Sequence, residues 1–62
     1  MGWRREIRDR IAELEQQRLR LEAERRRARR LSTAEGERLE AELGTKLQEI
    51  SHHIDDLRAS LK

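Results

Sequence analysis

The apolar residues of this chain are arranged as a mirror. On either side of Ser32, Trp3 stands at the same distance as Leu61, Ile7 as Leu57, Leu14 as Ile50 and Leu21 as Leu43. A chain that folds back on itself near Ser32 brings these positions level. That is the requirement of an antiparallel two-helix hairpin, and few other folds meet it with so short a chain.

The spacing within each arm is helical. Trp3, Ile7, Ile11, Leu14 and Leu21 return to one face of a helix, because steps of three and four close a turn. Leu39, Leu43, Leu47, Ile50, Ile54, Leu57 and Leu61 repeat the pattern, with an average step of about 3.7 residues that suits straight packing rather than a strict heptad. Proline is absent and Gly2, Gly36 and Gly44 are the only glycines, so nothing in residues 3–30 breaks a helix. The expectation is an all-α chain of 62 residues forming one domain: helix 1 over about 3–30, a turn at about 31–32, and helix 2 over about 33–61.

Two signals place the turn. Ser32-Thr33-Ala34-Glu35 has the form of a capping box, with Ser32 as the N-cap and Glu35 reaching back. Arg25, Arg26, Arg27, Arg29 and Arg30 crowd the end of helix 1 and Glu35 and Glu37 the start of helix 2, each sign where the helix dipole favours it. The alternative is a single continuous helix in a parallel coiled coil, since Leu21 to Leu39 spans five whole turns and the stripe stays in phase. Charge favours the hairpin. Residues 1–31 carry eleven basic and six acidic side chains, residues 32–62 four and seven, so the arms attract. The mirror register sets Arg29 opposite Glu35, Arg27 opposite Glu37 and Arg8 opposite Asp56, and brings Ala28 against Gly36 where the arms must converge.

A lone hairpin of this size buries one stripe against one partner. Backbone ordering costs about 1–2 kcal/mol per residue, which so few apolar side chains struggle to offset. Two hairpins face to face close a four-helix bundle. The twelve stripe residues (Trp3, Ile7, Ile11, Leu14, Leu21, Leu39, Leu43, Leu47, Ile50, Ile54, Leu57, Leu61) are therefore expected to form the seam of a homodimer or higher even oligomer. Gly44 is then either a point of close approach between helices or a tolerated weak spot, and Leu19, well off the stripe, an ordinary exposed leucine.

Composition narrows the function. Charged residues make up 45 % of the chain and hydrophobic ones 34 %. There is no cysteine, hence no disulfide and no thiolate metal site. No apolar run reaches membrane-spanning length and no signal-peptide core follows Met1, so a cytoplasmic protein is expected. No glycine-rich phosphate loop or nucleophile with a base is recognisable, and the expectation is a protein that is not an enzyme and uses no cofactor. Glu49 and His52 have the Glu-x-x-His spacing of di-iron bundles, with Glu15 level with Glu49. With Ile50 facing the core, however, His52 points about 160° and Glu49 about 100° away from it, so an inward metal site is not expected. His53 with Glu49 and Asp56 reads as a salt-bridged edge able to tune an interface with pH.

The Arg run from 25 to 30 has two readings. It is the end of a solvated helix matched to an acidic partner helix, or it contacts the phosphates of nucleic acid without regard to sequence. The net charge of +2 and the lack of aromatics for base stacking favour the former. Arg18 and Arg25 fall on the apolar stripe itself and are expected to pair with Glu22, Glu40 or Glu42, or to pack their stems and extend to the rim. The function expected is a self-associating interaction module, a small regulator or assembly factor binding itself and another protein. The alternative is a nucleic-acid-binding protein using Arg25, Arg26, Arg27, Arg29 and Arg30.

Overall fold

The computed structural model describes residues 2–62, and these form two helices: α1, Gly2–Arg30, and α2, Ala34–Ser60. The helices pack antiparallel as a hairpin, and the molecule is 50 Å long. A continuous helix of this length would extend about 90 Å at 1.5 Å per residue. The expected hairpin is thus formed, and the parallel coiled coil of unbroken helices does not apply to the chain.

The turn takes three residues rather than two. The Leu31 N–H donates to the Ala28 carbonyl oxygen at 3.2 Å, tightening the last turn of α1. Ser32 follows with φ at +46°, in the left-handed region that ends many helices. This corrects the expected cap. An N-cap residue needs extended backbone, which Ser32 in its left-handed conformation does not have. Thr33 has it, with φ −122° and ψ 165°, and its hydroxyl oxygen accepts the Gly36 N–H at 3.0 Å. The third residue after the cap is then Gly36, so Glu35 cannot close a reciprocal box. Glu35 and Glu37 still lie in the first turn of α2, and Arg27, Arg29 and Arg30 in the last turn of α1, as the dipole favours.

Immediately after the turn the helices come as close as backbone permits. Gly36 is buried, and a Cβ placed on it would lie 2.8 Å from the Ala28 carbonyl oxygen and 2.9 Å from the Leu31 Cβ. The expected meeting of Ala28 and Gly36 is thus realised, and only the absence of a side chain allows it. Farther along, bulk replaces close approach. Ile11, Leu14 and Ile54 form the core cluster, with Ile7, Ile50, Leu57 and Leu61 packed partly buried against it. Leu43 is buried nearer the turn. Burying each such side chain contributes about 1.5–3 kcal/mol.

Candidate interaction surface

The hairpin leaves much of its own stripe wet. Ile11, Leu14, Ala28, Leu43 and Ile54 are the buried hydrophobic residues. Ile7, Leu21, Leu47, Ile50, Leu57 and Leu61 are half-buried, whereas Trp3 is 50 % and Leu39 41 % exposed. Leu31 is also exposed, at 56 %, as is Leu19 on the outer side of α1. Two helices cannot do better. Each stripe is wider than the contact line that one neighbouring helix covers, so its flanks stay in water.

The two flanks differ. On one, Arg29 Nε donates to Glu40 Oε1 at 2.7 Å, Arg25 Nε stands 3.9 Å from the same oxygen, and Arg58 reaches Glu15 at 3.6 Å. Arg18 and Glu22, 4.0 Å apart along α1, lie on this flank as well. Counted at about 100° per residue, these α1 positions all fall on one side of Leu14. On the other flank lie Trp3, Arg10, Gln17, Leu21 and Glu24 of α1 and Leu31 of the turn, with Leu39, Ile50 and Leu57 of α2. Among the described residues no ion pair joins the helices on that side.

The register of ion pairs departs from the mirror. Arg29–Glu35, Arg27–Glu37 and Arg8–Asp56 are not among the ion pairs of the described residues, and Arg29–Glu40, Arg25–Glu40 and Arg58–Glu15 stand in their place. Being level is not enough. A pair must also share a flank, and the acceptors taken lie one residue from the mirror level for Arg25, five for Arg29 and nine for Arg58. Glu40 consequently serves two arginines. The stripe arginines behave as expected: Arg18 pairs with Glu22 and Arg25 approaches Glu40. The Arg25 guanidinium passes over Gly44, where a Cβ would lie 3.3 Å from its terminal nitrogen. Gly44 thus makes room for a side chain of its own hairpin.

The five clustered arginines divide. Arg25 and Arg29 turn toward α2, while Arg26, Arg27 and Arg30 are exposed and take part in none of the ion pairs of the described residues. With Ala23 these three line one shallow depression at the turn end of α1. Glu49, His52 and His53 are exposed on α2, and the expected edge of His53 with Glu49 and Asp56 is not among the ion pairs found. The helix places these groups one turn apart, but each points into water, which competes for it. Among the described residues no group of three or more acidic, histidine or cysteine side chains converges as metal ligands would. An open groove runs along the ion-paired flank, with Arg25 and Leu47 beside Gln48 and Ser51.

No family model matches the chain, and neither do any curated proteins or solved structures. Among the described residues no helix is long and apolar enough to cross a membrane.

The uneven flanks were not legible in the stripe. The signal nearest to them was the off-mirror position of Glu40, one residue from the level of Arg25 and five from that of Arg29.

Proposed function

We propose that this protein is a non-enzymatic interaction module of the cytoplasm: a helical hairpin that pairs with itself into a four-helix bundle and presents its charged turn end to another protein, as a small regulator or assembly factor does. The observation that carries this reading is the wet half of the stripe. Trp3, Leu31 and Leu39 are exposed, and Leu21, Ile50 and Leu57 are only half-covered, on a flank without ion pairs between the helices. A second hairpin removes that surface from water, at roughly 25 cal/mol per Å². Sedimentation equilibrium with circular dichroism tests it. The expected result is a highly helical dimer or higher even oligomer whose helicity falls on dilution. A folded monomer at all concentrations would remove the proposal.

The second reading is sequence-independent binding of nucleic acid, and Arg26, Arg27 and Arg30 favour it, since three exposed guanidinium groups without ion-pair partners share one patch. Binding of this kind falls steeply with salt. Gel shifts on a random duplex over a salt series, repeated with all three arginines reversed to Glu, decide it. No retardation at about 50 mM salt, where phosphate contacts are strong, ends this reading.

A further inference from the structure

The flank without ion pairs between the helices carries a charge pattern that complements itself. Trp3, Arg10, Gln17 and Glu24 of α1 and Leu31, the first residue of the turn, recur every seven residues, and all five are exposed. Turn this column end for end about Gln17 and Trp3 falls on Leu31, Arg10 on Glu24, and Gln17 on itself. Every charge meets its opposite and the two apolar ends meet each other. The neighbouring column repeats the property about nearly the same point: Glu6, Glu13, Arg20 and Arg27 set Glu6 on Arg27 and Glu13 on Arg20. Two adjacent columns that reverse sign about one level are what a helix needs to lie antiparallel on its own copy.

We propose that a second copy of this chain docks on this flank with its turn at the opposite end, the two related by a two-fold axis crossing α1 at Gln17. Arg10 and Glu24 of each copy then pair with Glu24 and Arg10 of the other. This rests on the self-association proposed above and adds its face, direction and register. The Arg10–Glu13 pair, 3.1 Å apart within one chain, comes to lie against Arg20 and Glu24 of the second copy. Trp3 covers the otherwise exposed Leu31, and Leu21, Ile50 and Leu57 are enclosed between the hairpins.

The opposite direction is unfavourable. Turn beside turn, Arg10 would meet Arg10 of the second copy and Glu24 would meet Glu24, like charge against like. Antiparallel docking replaces both repulsions with pairs of opposite sign. The face is also large enough. At 50 Å by 15 Å it offers about 750 Å² per copy, close to the half-interface of an ordinary specific complex.

The chain has no cysteine, so Gln17→Cys introduces a single thiol that sits on the two-fold axis. A disulfide needs the two Cα atoms within about 7 Å, which this register supplies and a shifted antiparallel register does not, and the charge swap at Arg10 and Glu24 separates it from a parallel pairing. Under mild oxidation Gln17→Cys is expected to become mostly covalent dimer, and Gln48→Cys, on the far side of α2, to remain mostly monomeric on a non-reducing gel. Arg10→Glu alone, and Glu24→Arg alone, should each weaken the dimer about tenfold by setting like charges together at two symmetric points. The double variant Arg10→Glu/Glu24→Arg should restore it. All these positions are exposed, and circular dichroism verifies that each variant folds. A dimer that sediments normally but cross-links no better through residue 17 than through residue 48, with no recovery in the double variant, overturns this face and register while self-association stands. A chain that remains monomeric throughout overturns both.

Discussion

The two halves of the hairpin hold the same two helices together by different means. In the terminal half, Ile11, Leu14 and Ile54 interlock with Ile7, Ile50, Leu57 and Leu61 around them, and large side chains fill the space between the axes. In the turn half there is almost no space to fill. Ala28 meets Gly36 at backbone distance, Leu43 is the one large buried residue, and arginines from α1 reach across to Glu40. The difference follows from the turn. A three-residue connection forces the axes close where they leave it, and side chains there must be small. Farther along the rod the axes have room, and bulk becomes the better way to exclude water. An antiparallel hairpin with one uniform apolar stripe would satisfy neither end.

The sharpest way to break this comparison is in the terminal half. Ile54 is 1 % exposed, and Ile54→Ala should cost about 3 kcal/mol through lost burial and the cavity left behind. Thermal denaturation followed at 222 nm is the measurement. A loss under about 1 kcal/mol, the level expected of partly exposed sites, would mean that this end is not the main source of stability.

The glycines provide an intermediate effect, with opposite signs. Gly36→Ala places a methyl group against backbone that cannot yield cheaply, and should destabilise by about 2 kcal/mol. Gly44→Ala meets only the mobile end of Arg25, at 3.3 Å and 3.4 Å, and should stabilise by about 0.5–1 kcal/mol because alanine is the better helix former. Chemical denaturation of the two variants side by side decides the matter. Equal effects would show that the turn end is no tighter than the middle of the rod.

The smallest effect belongs to the ion pairs of the turn half. Arg29 is 60 % exposed along its side chain, so Arg29→Gln should cost under about 0.5 kcal/mol despite the 2.7 Å contact with Glu40. The loss should vanish in 1 M salt, where screening is nearly complete. A larger loss, unchanged by salt, would make the arginines a structural support rather than a rim.

The residue pattern alone gives two helices and the place where they part. Periodicity and charge at helix ends are local properties that a reader can follow along the chain, and they bring Ala28 to Gly36 without further information. Tertiary structure decided the rest. It selected Thr33 over Ser32 as the cap, because a left-handed residue was needed to end α1 and only one of two adjacent hydroxyl residues could then be extended. It also decided which flank of the seam holds the ion pairs. An apolar stripe fixes which faces meet but neither their level nor the rotation of each helix about its axis. That rotation follows from the path of the turn, and it sends Arg25, Arg29 and Arg58 to one side while leaving Trp3, Leu31 and Leu39 in water on the other.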